Sequence, residues 1–262
     1  MFERWKKPWT ADQAVPYSQL AGIYDYVMRH VDYTLWADYV QSIFARYRTK
    51  PATILELACG TGSLALILAD RGYRVTGVDQ SDAMVSVARK KAERVQHPLS
   101  FIQGDMTAIP VDGRFDAVLC LYDSINYLLD RDTMQRMMEG VRTRLSPGGV
   151  FVFDACTEIN SRRYFHRHTE REETPHFAYI RRSKYRARDR IQVNEFRLWL
   201  KHGDRFEAYD ERHEQRIYPI GQMVETIRAA GFDVLGTFDG FSFTPATEQS
   251  NRVHFVVGTL AR

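Results

Sequence analysis

The residues with the clearest chemical pattern surround a glycine turn near position 60. From Glu56 to Gly62 the sequence reads Glu-Leu-Ala-Cys-Gly-Thr-Gly, in which the glycines allow the backbone to approach a ligand closely. A helix that opens directly after such a turn offers its N-terminal amides to an anionic group. Asp79 follows Gly60 by nineteen residues, where a carboxylate can accept both hydroxyls of a ribose. This spacing predicts a nucleoside-binding site.

Two kinds of cofactor fit that pattern. The stretch from Gly60 to Ala65 matches the loose G-x-G-x-x-G/A fingerprint, so a nicotinamide dinucleotide is one alternative. Glu56 would repel a pyrophosphate but could serve the ammonium of an amino acid. Asp105 and Met106 could receive the amino group and the ring face of adenine, and these turns hold no basic residue that suits a phosphate. Ribose, adenine and a zwitterionic tail without phosphates describe S-adenosylmethionine.

Each of these candidates also has a purely structural interpretation. Asp79 could cap the helix that follows it, Asp105 could form a turn, and Met106 could fill the core. Glu56 differs from them, because an unpaired carboxylate inside a strand is costly unless it has a partner. We expect the functional role at all four positions.

The elements on which these residues lie are typical of an α/β fold. From Thr53 onward, short apolar runs alternate with amphipathic stretches, which is the pattern of strand and helix units that build a parallel sheet. In such a sheet, ligands bind outside the carboxyl ends of the strands, where the strand order reverses. Ser81 is a suitable N-cap for the helix after the second strand. We expect strands at residues 53–58, 73–79, 99–103, 115–121 and 149–155.

The sequence changes in character after Asp154. Residues 160–218 hold 15 Lys and Arg against 10 Asp and Glu, and several stretches alternate between apolar and polar residues. The alternation shifts phase between Val193 and Phe196, which suggests a bulge, and Gly203-Asp204 suggests a hairpin turn. We expect an antiparallel segment over the sheet. The other expected elements are helices at 19–30 and 34–47 that pack on the sheet, a helix at 221–230, and paired edge strands at 232–238 and 252–260.

Composition excludes several classes of protein. With 262 residues, 44% of them hydrophobic, the chain can bury a large core and is neither disordered nor collagen-like. A net charge of +3 does not imply a polyanion as the main partner. No apolar run approaches the ~20 residues of a membrane span and no secretory signal is visible, so we expect a cytoplasmic protein. Cys59, Cys120 and Cys156 lack metal-binding spacing, so we expect free thiols and no metal site.

The order and spacing of these motifs resemble those of class I S-adenosylmethionine-dependent methyltransferases. The matching stretches are residues 54–62, 75–79, 104–106, 115–118 and 145–149. A narrower resemblance, to bacterial small-molecule methyltransferases such as the amino-sugar N-methyltransferases and glycine N-methyltransferase-like enzymes, is carried by Tyr24-Asp25, Asp32-Tyr33, residues 123–127 and residues 211–218. The resemblance covers about residues 17–260.

The resemblance implies a doubly wound, seven-stranded, mostly parallel Rossmann-like sheet with an antiparallel β lid inserted after strand five. It divides the chain into an N-terminal helical cap (1–50), a cofactor-binding core (51–158 and 219–262) and a β-rich lid insertion (159–218). S-adenosylmethionine is the implied cofactor and S-adenosylhomocysteine its product. The expected cofactor contacts are Glu56, Ala58, Gly60, Gly62, Asp79, Gln80, Asp105, Met106, Leu121, Tyr17 and Tyr24.

Methyl transfer from a sulfonium is an in-line displacement, so the protein mainly positions the nucleophile and excludes water. An amine acceptor must lose its proton, and His213 is the predicted general base because it alternates with Glu211 and Gln215 on one strand face. Tyr127 is the second catalytic candidate. The alternative for both is a structural hydrogen bond. The expected substrate-binding residues are Tyr33, Trp36, Asp123, Asn126 and Arg216, for which ordinary packing, turn or surface roles are the alternatives.

We therefore expect a methyltransferase that acts on nitrogen or oxygen of a small polar molecule. One alternative is an RNA methyltransferase that uses the basic residues at 181–190, although the interleaved acidic residues favour a solvated surface. Another alternative is a nucleotide-binding module without catalysis. No Asn/Asp-Pro-Pro-Tyr motif follows the fourth strand, which argues against planar nitrogen acceptors. The expected partner is a small-molecule substrate rather than a membrane or nucleic acid, with a homodimer as the candidate assembly.

Overall fold

The computed structural model describes residues 11–259 of the chain. Its strands are β1 (Asp12–Ala14), β2 (Thr53–Leu57), β3 (Arg74–Asp79), β4 (Leu99–Gln103), β5 (Phe115–Cys120), β6 (Leu145–Cys156), β7 (His168–Glu173), β8 (Phe177–Arg186), β9 (Ile191–His202), β10 (Arg205–Arg216), β11 (Asp233–Asp239) and β12 (Arg252–Gly258). Its helices are α1 (Tyr24–Val27), α2 (Tyr33–Arg46), α3 (Ser63–Asp70), α4 (Asp82–Ala92), α5 (Arg131–Arg144), α6 (Glu158–Asn160) and α7 (Ile220–Ala229). Further helical turns lie at Leu20–Ile23, Ser124–Tyr127 and Ser161–Phe165. Leu260, the expected end of the last strand, lies outside the described residues.

The central sheet has the strand order β11-β12-β6-β5-β2-β3-β4. The strands from β2 to β6 run parallel, whereas β12 lies antiparallel between β6 and β11. β2 has β3 on one side and β5 on the other, so the strand order reverses there. The predicted α/β fold with a mostly parallel sheet is confirmed. Its topology directs a ligand to the carboxyl end of β2.

Apolar side chains cover both faces of this sheet. On β2, Ile54, Leu55 and Leu57 are fully buried, as expected for a parallel strand between two helical layers. One face packs against α5 and α7, and the other packs against α2, α3 and α4. The side chain of Ser81 accepts a hydrogen bond from the backbone amide of Met84, so its predicted N-cap role is confirmed. These contacts fix the strand ends that form the site.

The second sheet has the order β1-β10-β9-β8-β7, and we call its strands β7 to β10 the lid (His168–Arg216). The antiparallel strands β9 and β10 join through the predicted turn at Gly203-Asp204. The predicted bulge near Val193 is wrong, because β9 pairs with both neighbours without a register shift. The apolar pattern shifts phase because both faces of β9 are buried, with Val193 on one face and Phe196 on the other.

The described part of the N-terminal region, residues 11–50, is less helical than expected. α2 matches the second predicted helix and packs against the central sheet. The first predicted helix, at 19–30, is confirmed only in part: the chain is helical from Leu20 to Val27, as the turn at Leu20–Ile23 followed by the short α1. Gly22 weakens an α-helix in this stretch. Before it in the chain, β1 pairs parallel with β10 of the lid. Among the described helices, none combines the length and the apolarity that a bilayer crossing requires.

Candidate active site

The glycine turn follows β2 in an unusual backbone conformation. Ala58 has a φ of 53°, and Gly60 and Gly62 have φ values of 55° and 74°, all in the left-handed region. A Cβ atom at Gly62 would lie 2.4 Å from the ring of Phe101, so only glycine fits there. At Gly60, the nearest atom to such a Cβ would be a ring carbon of Tyr24 at 3.9 Å. The backbone of the turn is therefore open to a ligand beneath Tyr24.

Asp79 ends β3 and holds the glycine turn in place. Its Oδ2 accepts a hydrogen bond from the Gly60 amide at 2.8 Å, and its Oδ1 accepts one from the Ser81 amide at 2.9 Å. Burial raises the pKa of Asp79, and these two amides partly offset that effect. Each carboxylate oxygen keeps a second lone pair, so Asp79 can hold the turn and still accept a ribose hydroxyl. Gln80 follows in an exposed position.

Glu56 carries an unsatisfied carboxyl group in the sheet. Glu56 is only 5% exposed, and its Oε2 has no hydrogen-bond partner among the described residues. Burial, and then the charge of Asp79, raise the pKa of Glu56 to about 8. A buried acceptor of this kind is costly without a donor. Because it lies beside the glycine turn, Glu56 suits a cationic donor such as an ammonium group.

The expected adenine contacts lie beyond the next strand. The Oδ1 atom of the exposed Asp105 accepts hydrogen bonds from the Thr107 amide at 2.7 Å and from the Thr107 hydroxyl at 2.8 Å. This is the turn-forming alternative, so the adenine role of Asp105 stays a prediction. Met106 is half-buried and packs against the core, and Leu121 is buried at the end of β5. Both lie at the sheet edge where the ligand is expected.

The N-terminal segment from Tyr17 to Asp25 covers the glycine turn. The carbonyl of Tyr17 accepts a hydrogen bond from the Ser81 hydroxyl at 3.0 Å. Asp25 accepts a hydrogen bond from the Thr61 hydroxyl at 2.5 Å and pairs with Lys91 Nζ at 2.9 Å. The segment is thus tied to the end of β3, to the glycine turn and to α4. It places Tyr17 and Tyr24 above the region expected to hold the nucleoside.

A hydrogen-bonded network joins this segment to the lid. His213 is 2% exposed, its Nε2 lies 3.0 Å from Glu211 Oε2, and its Nδ1 lies 3.3 Å from the Tyr127 hydroxyl. The Tyr127 hydroxyl in turn lies 2.5 Å from the Tyr17 hydroxyl. Glu211 also accepts hydrogen bonds from the backbone amides of Tyr17, Gln19 and Leu20 at 2.7, 2.7 and 2.9 Å. The structure therefore brings together both predicted catalytic residues and Tyr17.

The charges set the direction of the hydrogen bonds in this network. Burial raises the pKa of Glu211, but the bonds from His213 and from three backbone amides outweigh it, so that the pKa lies below its ordinary value. Glu211 is then a carboxylate that accepts, so His213 carries its proton on Nε2 when the ring is neutral. His213 Nδ1 accepts from Tyr127, and Tyr127 accepts from Tyr17. A proton can move from Tyr17 toward His213 along this chain.

An acidic pair with one arginine lies at the end of β5 and β6. Arg252 donates to Asp123 Oδ1 at 2.8 Å and to Asp154, and Gln215 donates to Asp123 Oδ2 at 2.7 Å. Tyr122 and Asp123 have φ values of 61° and 51°, which turn the chain sharply after the strand. Burial raises the pKa of both carboxyls, and Arg252 opposes that effect. The cluster has two acidic groups for one cation.

Aromatic side chains surround this cluster. The guanidinium of Arg252 lies 5.3 Å from the ring centre of Trp36 and 5.1 Å from that of Tyr122. Phe241, which is 39% exposed, packs edge-on against Trp36 at 4.9 Å between ring centres. Tyr33 is half-buried and packs against the same cluster of apolar residues as Tyr122. Trp36, one predicted substrate residue, therefore lies near another, Asp123, through Arg252.

The other two predicted substrate residues lie elsewhere. The amide of Asn126 is fully buried, donates to the Arg216 carbonyl at 2.7 Å and accepts from the Cys156 amide at 2.9 Å. The Arg216 guanidinium donates to the Leu129 carbonyl at 3.3 Å and lies 5.6 Å from the Tyr218 ring centre. Neither side chain joins the Tyr17 network or the Arg252 cluster. Both connect the last lid strand to the core.

Several residues of the site were missed by reading the sequence. Glu211 was noted only for its alternation with His213, which is the one signal that could have identified its role. Asp154 and Arg252 lie on antiparallel neighbours β6 and β12, and no local pattern connects them. The three cysteines are buried free thiols, and burial raises the pKa of each. A thiolate nucleophile is therefore disfavoured at all three positions.

The carboxyl ends of β2 and β3 suit a nucleoside that carries an ammonium group, because Asp79 and the unsatisfied Glu56 flank an open glycine turn. A parallel sheet with its switch point at that turn is the fold of class I methyltransferases. The fold and the site define an S-adenosylmethionine-dependent methyltransferase.

Comparison with known proteins gives the family. The chain belongs to the methyltransferases, as a relative that matches nearly its whole length shows, and residues 54–149 match the family described as a methyltransferase domain. It is 31% identical over 240 residues to the putative methyltransferase YqeM of Bacillus subtilis (strain 168), which covers 91% of this chain and 95% of that protein. A sugar N,N-dimethyltransferase of Streptomyces fradiae, named for dTDP-3-amino-3,6-dideoxy-alpha-D-glucopyranose, is 32% identical over 149 residues, which are 55% of this chain and 56% of that enzyme.

The fold has close counterparts among solved structures. An S-adenosylmethionine-dependent methyltransferase from Clostridium acetobutylicum ATCC 824 superposes with a TM-score of 0.81 at 24% identity, over 93% of this chain and 98% of that one. The prediction of a methyltransferase that uses S-adenosylmethionine is confirmed by the family.

Proposed function

We propose that this methyltransferase acts on a nitrogen or oxygen atom of a small polar molecule, held between the Tyr17 network and the Arg252 cluster. The observation that carries the proposal is the chain of hydrogen bonds that runs from Tyr17, on the segment tied to the end of β3, through Tyr127 to His213. Such a chain can remove a proton from an acceptor, as transfer to an amine or a hydroxyl requires. The name of the Streptomyces fradiae relative, an N,N-dimethyltransferase of a sugar, supports a nitrogen on a small molecule.

We propose that Glu56 receives the ammonium of the cofactor and Asp79 its ribose hydroxyls. The backbone at Ala58, Gly60 and Gly62 approaches the cofactor closely. Tyr17 and Tyr24 cover the nucleoside from the N-terminal side, with adenine contacts assigned to Gln80, Asp105, Met106 and Leu121. When bound, S-adenosylmethionine supplies an electrophilic methyl group on its sulfonium.

We propose that His213 is the general base, reached through two tyrosines. The Tyr17 oxygen accepts the proton of the acceptor while Tyr17 passes its own proton to Tyr127, and Tyr127 passes its proton to His213 Nδ1. The carboxylate of Glu211, 3.0 Å from His213 Nε2, stabilises the imidazolium that forms and acts as a positioning residue. Relay through direct hydrogen bonds between side chains moves the proton without admitting water.

We assign Tyr33, Trp36 and Asp123 to the binding of the acceptor. Asn126 and Arg216 are better assigned to holding the lid, since backbone groups occupy the Asn126 amide on both sides. An RNA acceptor is not favoured, because basic lid residues pair with acidic neighbours: Arg186 with Asp189 at 2.9 Å and Arg212 with Glu195 at 2.5 Å. A cytoplasmic location, supported by the three free thiols, and a homodimer belong to the proposal.

The purified protein incubated with methyl-radiolabelled S-adenosylmethionine tests the acceptor class. Small metabolites and total RNA from a bacterial extract are offered separately, and the label is followed into each. We expect label in the metabolite fraction, in a product identified by mass. Label in RNA alone would contradict the proposal. The His213→Gln variant serves as a control for labelling that does not require the site.

A further inference from the structure

Arg181 lies on the inner face of the lid, the face that carries His213. Residues directly opposite each other on antiparallel strands share a face. Arg181 is opposite Phe196, and Phe196 is opposite Glu211, while the next row of that face contains Asn194 and His213. The Phe196 ring lies 5.6 Å from the Arg181 guanidinium and 5.3 Å from the His213 ring. Arg181 and the proposed base thus flank one aromatic side chain.

The guanidinium of Arg181 is fixed but only partly neutralised. Its Nε and Nη2 donate to the Asn194 side-chain oxygen at 3.3 and 3.1 Å, and that oxygen also accepts from the Ser183 hydroxyl at 2.7 Å. Its Nη1 pairs at 3.8 Å with Oε2 of Glu170, whose other oxygen, Oε1, accepts from the Tyr179 hydroxyl. At 3.8 Å this ion pair is longer than a hydrogen bond, so Nη1 keeps donors for a ligand, and the side chain is 21% exposed. A fixed guanidinium with open donors is suited to an oxyanion.

The field of Arg181 reaches the acceptor side of the site. Its charge lowers the pKa of Tyr122 and of Tyr127, although burial and other groups raise both overall. Tyr122 follows β5 beside the Arg252 cluster, and Tyr127 belongs to the proton relay. Arg252 itself is occupied by Asp123 and Asp154. Of these two arginines, Arg181, whose ion pair with Glu170 is 3.8 Å long, is the one with donors left for a further negative charge.

We propose that the methyl acceptor carries an oxyanion, a carboxylate or a phosphate, and that Arg181 binds it. β8 and β10 are two strand spacings apart, so about 10 Å separates Arg181 from the strand of His213. The acceptor then extends from a nucleophilic nitrogen or oxygen near Tyr17 to an anionic end beside Arg181 on β8. This inference rests on the proposed function and makes Arg181 a specificity-determining residue for it.

The test uses the labelled product from the metabolite fraction. It is applied to an anion exchanger at pH 11, where an amine is neutral and a carboxylate or phosphate is charged. We expect retention, and loss of retention after phosphatase treatment if the oxyanion is a phosphate monoester. A labelled product that is not retained overturns the inference and leaves the proposed function intact. If the cofactor binds and no metabolite is labelled, both fail.

Variants supply the second readout. Arg181→Gln should raise the KM for the acceptor at least ~10-fold with the affinity for S-adenosylmethionine unchanged, because a charged hydrogen bond to the acceptor is lost. Arg181→Lys should recover part of that loss, since it keeps the charge. Arg182→Gln is the matched control, an exposed neighbour on the opposite face of β8, and should behave as wild type. A fall in kcat with an unchanged KM for Arg181→Gln contradicts a role in binding.

Discussion

The two ends of the site are built in different ways. At the cofactor end, Gly60 and Asp79 are joined by a hydrogen bond between positions only 19 residues apart, at the ends of the adjacent parallel strands β2 and β3. At the acceptor end, Glu211 binds the amide of Tyr17 across 194 positions, and Arg252 binds Asp123 across 129. The cofactor end is therefore assembled by one supersecondary unit, whereas the acceptor end requires the whole chain to fold. Substitutions at the two ends should accordingly have separable effects.

The largest effect is expected from Arg252→Ala at the acceptor end. Its loss leaves Asp123 and Asp154 buried together without a cation, which costs about 3–5 kcal/mol of the free energy of unfolding. Urea denaturation followed by circular dichroism measures the change. Arg131→Ala, which breaks an exposed pair with Glu225, is the control and should cost less than ~1 kcal/mol. Equal losses for the two variants would show that the buried cluster does not hold the acceptor end together.

The next effect separates catalysis from cofactor binding. His213→Gln should lower kcat about 100-fold, because the relay from Tyr17 loses its base. The affinity for S-adenosylmethionine should stay within ~2-fold, since His213 does not contact the glycine turn or Asp79. Steady-state labelling rates and equilibrium binding measure the two quantities. His202→Gln at the exposed lid hairpin is the control and should behave as wild type. A wild-type kcat for His213→Gln would show that His213 is not the general base.

The third effect is a pH dependence of stability at the cofactor end, which is the smallest of the three over a single pH unit. Because the pKa of Glu56 is raised to about 8 in the folded chain, the native state holds a proton that the unfolded state has released between pH ~4.5 and 8. The free energy of unfolding without ligand should therefore fall as pH rises through this window, by up to ~1.4 kcal/mol per unit. Glu56→Gln should flatten the slope. If Glu56→Gln shows the same pH dependence of stability as wild type, the titration belongs to another group.

The same contrast explains which parts of the structure could be predicted. Ser81, the glycine turn and Asp79 follow from local rules, namely a helix cap, left-handed backbone positions and the end of a strand. The expected helix at 19–30 is helical only from Leu20 to Val27, and its start is held by Glu211 of a distant strand, which accepts hydrogen bonds from the backbone amides of Gln19 and Leu20.

The acceptor end could be read from the sequence only in part. His213 and Tyr127 were selected for their chemistry, and the lid places them 3.3 Å apart. Asn126 has equally suitable chemistry, but its side-chain amide is hydrogen-bonded to two backbone groups. Arg181 was grouped with surface cations, because strand alternation alone does not reveal which face of the lid covers the site. Packing between segments far apart in the chain decides which of these side chains face the site, and neighbouring residues in the sequence do not reveal that packing.

Binding of S-adenosylmethionine to Asp79→Ala and His213→Gln, measured side by side by titration calorimetry, tests the central claim most directly. The account predicts that Asp79→Ala weakens binding by about 1.5–3 kcal/mol, through the loss of charged hydrogen bonds, and that His213→Gln binds as wild type does. Unchanged affinity in Asp79→Ala, or an equal loss in both variants, would contradict the separation of a cofactor end from an acceptor end.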